Sequence, residues 1–158
     1  MKKSVWKTYL LCILAAEAVG ALAGFLIRDG LQIYSTTILK PPLSPPAIAF
    51  PIVWTVLYAL MGVSSARVYL TEPSAARMSG IFLYITQLTF NFFWSILFFN
   101  LQAFDAAFFW LVILLVQIVL MIMSFKKVDA TAAYLQIPYL LWVTFAGYLN
   151  FGVWMLNK

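Results

Sequence analysis

Five long apolar runs separated by short polar segments account for most of the 158 residues. Each is long enough to cross the ~30 Å hydrocarbon core of a bilayer, which takes about 20 helical residues. The pattern predicts helices over Tyr9–Ile27, Pro46–Leu70, Ala76–Asn100, Ala103–Phe125 and Thr131–Leu156. The expected fold is therefore all-α: an integral membrane bundle of five helices, forming a single domain over residues 1–158 with no room for a separate soluble one. Only the connection between the first and second helices is long. It leads into Lys40–Tyr58, KPPLSPPAIAFPIVWTVLY, where four prolines stand at the mouth of the second helix and a fifth, Pro51, falls inside it. Proline fixes φ and removes a backbone donor, so this connection should be a stiff lid rather than a tether, with a kink near Pro51.

Composition agrees with the pattern: 65% of residues are hydrophobic and 9% charged, against ~25% charged in soluble domains. The charges are distributed unevenly across the ends of the runs. Lys2, Lys3, Lys7, Arg67, Arg77, Lys126 and Lys127 make seven on one side, and Arg28, Lys40 and Lys158 make three on the other. The positive-inside rule then puts the N-terminus in the cytoplasm and the lid outside. The net charge of +5 is accounted for by topology and does not call for nucleic acid. The first run exceeds a signal-peptide h-region and ends in Arg28-Asp29-Gly30 without a clear cleavage site, so it is expected to remain as a helix. The single cysteine, Cys12, permits no internal disulfide, and the absence of histidine removes the commonest metal ligand. With no nucleophile and base to pair, no paired carboxylates on one segment and no glycine-rich phosphate loop, conventional hydrolysis and phosphoryl transfer are excluded.

Polar side chains inside the runs are the candidate chemistry. Gln87, Asn91 and Ser95 recur every four residues and share one helical face, which cannot point at lipid. They either join helices or line a ligand pocket. Trp54 and Tyr58 stand one turn apart with Gly62 a turn further on, while Tyr139, Trp142 and Ala146 share a face of the fifth helix. Large aromatics beside a small residue leave a gap for a flat apolar molecule; the bland alternative is an interfacial aromatic belt, which suits Trp6 and Trp154. Trp54 and Trp142 are assigned to the pocket. Glu17, midway along the first run, is either a functional group or a protonated acid hydrogen-bonded to a neighbouring helix. Ala16, Gly20 and Gly24 make a small-residue face that packs helices within or between chains.

KPPLSPP, FPIVWTVLY followed by LMG, the Asn91 and Trp94 pair with FF after it, and PYLLW with LNFGVW occur in an order and spacing that resemble the translocator protein family, also called the tryptophan-rich sensory or peripheral benzodiazepine receptor proteins. The resemblance runs from about Tyr34 to Trp154. It implies a five-helix bundle in a bacterial cell membrane, commonly a homodimer, that binds protoporphyrin IX or haem and benzodiazepine-type ligands under the lid. No obligatory cofactor follows, and any tetrapyrrole would be held without histidine. By resemblance the pocket is lined by Trp54, Asn91, Ser95, Trp142 and Ala146, with Tyr34 from the lid; Tyr58, Gln87, Trp94 and Tyr139 join them as candidate ligand-binding residues. Many members carry Trp where Leu43 stands here, so one lid aromatic is missing. The cholesterol pattern of animal members is absent in its usual form, since Phe151 is followed by Gly152, Val153, Trp154 and Met155, and sterol transport is not assigned. The resemblance carries two functions: tetrapyrrole binding for transport or sensing, and light- and oxygen-dependent degradation of protoporphyrin with Trp54 and Trp142 as catalytic residues. A purely structural membrane partner is a third class, and the stiff lid argues against it.

Overall fold

A computed structural model describes residues 4–158, so Lys2 and Lys3 of the charge count lie outside the described residues. Seven α-helices follow in order: α1 Val5–Leu26, α2 Arg28–Thr36, α3 Ala49–Leu70, α4 Ala75–Ser95, α5 Phe104–Lys126, α6 Ala130–Tyr134 and α7 Ile137–Leu156. A π-helical turn, Ile96–Asn100, extends α4. Five stretches are long and apolar enough to span a membrane: α1, α3, α4 with its π turn, α5, and α6 with α7 together.

Local chemistry explains where the elements differ from the sequence expectation. The second span starts at Ala49 rather than Pro46, which places Pro51 in the first helical turn. The N–H that proline lacks would have no intrahelical partner there, so Pro51 starts a helix instead of kinking one. The fifth span is broken between Tyr134 and Ile137, where Pro138 opens α7. Asp129 caps α6 by accepting from the Ala132 N–H at 2.9 Å, and Ser74 caps α4 by accepting from the Arg77 N–H at 3.1 Å; each satisfies a donor at a helix start.

Small residues set the closest helix approaches. A Cβ on Gly62 would come within 2.5 Å of the Ile13 Cα, so α1 crosses α3 backbone to backbone at that point. Beyond it, α4 packs on α5 and α5 on α7, with the Phe90 and Trp110 rings stacked 4.4 Å apart between α4 and α5. Met61, Ile118, Met121 and Phe125 are fully enclosed. Leu11, Leu22, Phe82, Phe109 and Leu141 remain exposed on the outside, as expected of a surface whose solvent is lipid. At the end of the bundle that carries α6, the Arg67 guanidinium meets the Asp129 carboxylate at 2.9 Å, and the Ser64 hydroxyl donates to the Ala132 carbonyl at 2.7 Å.

The proline-rich connection is tied down at the opposite end. Only Ile27 separates α2 from α1. After α2, the Leu39 N–H donates to Asn157 Oδ1 at 3.1 Å and Asn157 Nδ2 donates back to the Leu39 carbonyl at 2.9 Å. Tyr148 donates to the Pro42 carbonyl at 2.9 Å, and Gly152 lies so close to Pro41 that a Cβ would sit 2.6 Å from its ring. The Lys40 ammonium caps the end of α2 by donating to the Tyr34 and Ser35 carbonyls, both at 3.0 Å. Leu43 stands at the tip, exposed and left-handed with φ 68°.

Candidate functional site

A cavity of about 400 Å³ opens between α1, α3 and α4, with Leu31 of α2 at one end. This size falls in the ~300–1,000 Å³ range of small-molecule sites. One wall is aromatic: Phe50, Trp54 and Tyr58 come from α3, with Trp54 and Tyr58 tilted by 32° and their centroids 5.5 Å apart. The spacing is set by the helix, which returns a side chain to the same face every four residues. Facing it, α4 contributes Asn91, Trp94 and Ser95, and the π turn adds Phe99. The third wall is nearly free of side chains, because α1 presents Gly20, Ala21 and Gly24 there, with Glu17 at its deeper end.

The polar groups around the cavity are held in defined positions. Asn91 Nδ2 donates to the Tyr58 hydroxyl at 3.1 Å, joining the α4 and α3 walls. Trp94 is locked from behind, its Nε1 donating to Asn150 Oδ1 at 3.1 Å while Asn150 Nδ2 donates to the Phe104 carbonyl at 2.7 Å. Ser95 donates to the Phe92 carbonyl at 2.7 Å. Such pairing is expected where no water competes for buried amides. Beneath α2, Tyr34 is buried among Phe50, Phe98 and Phe99, with ring centroids at 6.2, 5.6 and 5.4 Å. Burial pushes its phenol pKa up, partly offset by the Ser44 hydroxyl.

The structure thus brings Trp54, Tyr58, Asn91, Trp94 and Ser95 together around one cavity. Tyr34 packs against two of its wall residues, Phe50 and Phe99, without lining it. Gln87 and Tyr139 are fully buried and satisfy one another, Tyr139 donating to Gln87 Oε1 at 2.7 Å, while Gln87 Nε2 rests 3.8 Å from the Met61 sulfur. The four-residue stripe therefore divides: its Gln87 end joins helices, and its Asn91 and Ser95 end meets the cavity. Ala146 is packed in the core. Trp142 lines a different space, an apolar groove of about 520 Å³ between α3 and α7 that also takes in Ile52, Val56, Leu141 and Phe145. Phe50, a wall of the cavity, stands edge-on to Trp142 at 6.2 Å.

Sequence reasoning did not assign Phe50, Glu17, Gly20 or Gly24 to the site. The available signal was the spacing of Glu17, Gly20, Ala21 and Gly24 at i, i+3, i+4 and i+7, one helical face with space above it. Glu17 makes no hydrogen bond or ion pair with a described residue. That differs from a carboxyl bonded to a neighbouring helix.

An all-helical, five-span bundle with an aromatic cavity between its helices defines a multi-pass membrane protein. Residues 12–155 match the family model described as the TspO/MBR family. The chain is 38% identical over 151 residues to "Tryptophan-rich protein TspO" of Chlorobaculum tepidum, covering 95% of this chain and 96% of that one. It is 32% identical over 158 residues to "Protein CrtK" of Rhodobacter capsulatus, covering 99% and 95%, and 32% identical over 136 residues to "Translocator protein" of Ovis aries, covering 85% and 80%. The chain belongs to the TspO/MBR family.

Proposed function

We propose that the protein binds a flat tetrapyrrole, protoporphyrin IX or haem, and benzodiazepine-type ligands in the cavity beneath α2, and acts as a translocator or sensor for them. The observation that carries this reading is the cavity itself: the Trp54 and Tyr58 rings on one side face the Asn91 and Ser95 polar groups on the other, across a wall made of glycine and alanine. A planar macrocycle uses each of these, stacking on the aromatics at about 0.5–1.5 kcal/mol per ring beyond its burial and finding polar partners at membrane depth. The names "Tryptophan-rich sensory protein" in Cereibacter sphaeroides and "Translocator protein" in Ovis aries belong to relatives and support the same reading.

The test is a titration of purified protein with protoporphyrin IX followed by tryptophan quenching. Saturable binding that weakens in Asn91→Ala is expected; a response no different from empty detergent would sink the reading. Light- and oxygen-dependent degradation of the bound porphyrin is the second reading, favoured by Trp54, whose indole faces the cavity.

Homodimer formation and insertion in a bacterial cell membrane with a cytoplasmic N-terminus and an outward lid complete the proposal. The orientation rests on the charge count of seven against three. With five spans, a reporter fused after Lys158 should be active outside and silent in the cytoplasm, and the reverse result would contradict it.

A further inference from the structure

We infer that Glu17 makes the cavity selective for flat aromatic ligands that carry a cationic nitrogen, acting as their counter-ion at the middle of the membrane. The inference rests on the cavity being a ligand site, and adds the chemical class that the site prefers.

Glu17 is twelve residues beyond Val5, about 18 Å along a helix that rises 1.5 Å per residue, which is mid-membrane in a span of 22 residues. It is the only acid within the residues lining the cavity, and no lysine or arginine lines it. The carboxyl has no hydrogen bond or ion pair with any described residue. A charged group at that depth is retained only when it is paired or serves a ligand or ion path. Among the described residues no cationic side chain lines the cavity to pair with Glu17, so a cationic ligand would supply the missing partner.

The surroundings suit a cation as well as a ring. Trp54 and Tyr58, with centroids 5.5 Å apart, line the same space, and aromatic faces attract cations through their quadrupoles, most strongly where water is excluded. The glycine spacing next to Glu17 leaves room for a flat body to reach the carboxylate: Gly24 has nothing within 4 Å of where a Cβ would stand. An N⁺–H donor on such a body would form a charge-assisted hydrogen bond to the carboxylate, about twice as strong as a neutral one. A ligand carboxylate brought to the same spot would be repelled, so a dicarboxylate porphyrin should enter with its acidic edge turned away from Glu17.

Two probes of one ring system isolate the charge: proflavine, a planar cation at neutral pH, and acridine, its neutral counterpart. Both are titrated into the purified full chain by tryptophan quenching, with protoporphyrin IX as competitor. The wild type should bind proflavine about tenfold more tightly than acridine. Glu17→Gln should remove that preference, weakening proflavine by about tenfold while acridine stays within about twofold, and Glu17→Asp should retain part of it. A wild type that does not distinguish the two probes overturns the inference whether or not the glutamine variant folds. So does an equal change for both probes in Glu17→Gln. Acridine that saturates and competes with protoporphyrin IX, without any preference for the cation, overturns the role of Glu17 and leaves tetrapyrrole binding standing. Failure of all three compounds to saturate overturns both.

Discussion

Gly20 and Gly24 lie one turn apart on α1 and both line the cavity, yet an added methyl group meets quite different surroundings at the two positions. At Gly20 a Cβ would fall 2.5 Å from Tyr58 Cδ2, whereas at Gly24 it would meet nothing within 4 Å. Ordinary contact starts near 3.5 Å, so Gly20→Ala must push the Tyr58 ring away by about 1 Å. That ring is buried against Trp54, and its hydroxyl accepts from Asn91 at 3.1 Å. The open direction is into the cavity. Both substitutions remove a glycine from a helix interior, a gain of up to about 1 kcal/mol that is common to the pair. Gly20→Ala should offset that gain with about 1–3 kcal/mol of overpacking and about 1 kcal/mol from the strained hydrogen bond. The expected outcome is a thermal midpoint in detergent below that of Gly24→Ala, and protoporphyrin affinity weakened by about tenfold in Gly20→Ala alone. Equal midpoints and equal affinities in the two variants would refute the placement of Tyr58 against α1 and the proposal that ligand occupies the space beside it.

Asp129→Ala removes both the α6 cap and the partner of Arg67 and should cost about 1–2 kcal/mol by detergent unfolding. Burial raises the Asp129 pKa, but hydrogen bonds from the Ala132 N–H and Arg67 outweigh it and hold the carboxyl below its ordinary value. A depressed folded pKa gives stability that is complete above the unfolded value near 3.8 and lost as pH falls through the folded one, so the wild-type advantage over Asp129→Ala should shrink below about pH 4; an advantage independent of pH would contradict the pairing. Ala146→Phe should lower the midpoint, by about 1–3 kcal/mol of overpacking, because Ala146 is packed in the core; reduced porphyrin binding with an unchanged midpoint would instead put it in the site. Leu43→Gly should stabilise the lid by about 1 kcal/mol, since the left-handed backbone at φ 68° strains leucine and leaves its side chain exposed; a lower midpoint would contradict that conformation. Under illumination in air, Trp54→Phe should slow porphyrin loss more than Trp142→Phe, because of these two indoles Trp54 lines the cavity and Trp142 does not; equal rates in the two variants would contradict that.

Length and apolarity made the five spans legible, because the bilayer imposes one requirement on every crossing segment. Boundaries near proline were less so: Pro51 and Pro138 carry the same ring, and only the position of the first hydrogen-bonded turn shows that each opens a helix. Within the site, the spacing of Gln87, Asn91 and Ser95 identified a polar face, but not that Tyr139 would reach Gln87 from another helix and close off that end of it. The α1 wall was hardest to foresee. Glycine has no side chain to suggest a pocket, and whether a small-residue face holds another helix or an empty space depends on what stands opposite. At Gly62 it is the backbone of α1, at Gly20 the ring of Tyr58, and at Gly24 open volume.

The separation of the two tryptophans bears on what chemistry the site can support. Bond formation between an indole and a porphyrin needs direct contact, whereas electron transfer can cross an intervening ring, and the Trp54 ring lies where contact is available. Trp142 stands behind Phe50, whose ring is edge-on to it at 6.2 Å, and faces the apolar groove between α3 and α7 instead. A mechanism that draws on both indoles at once therefore has one in the lining of the cavity and one outside it, in contact with Phe50. Phe50 is also edge-on to Tyr34 of α2 at 6.2 Å, and Tyr34 packs on the Phe98 and Phe99 rings of the π turn. Phe50 is thus in ring contact with both α2 and α7. A ligand in the cavity would meet Trp54, Tyr58 and Asn91 directly, whereas Trp142 faces the outer groove. A loss of porphyrin conversion on removing Trp142 would therefore point to transfer through the Phe50 ring or to a second site in the groove, and not to contact within the cavity.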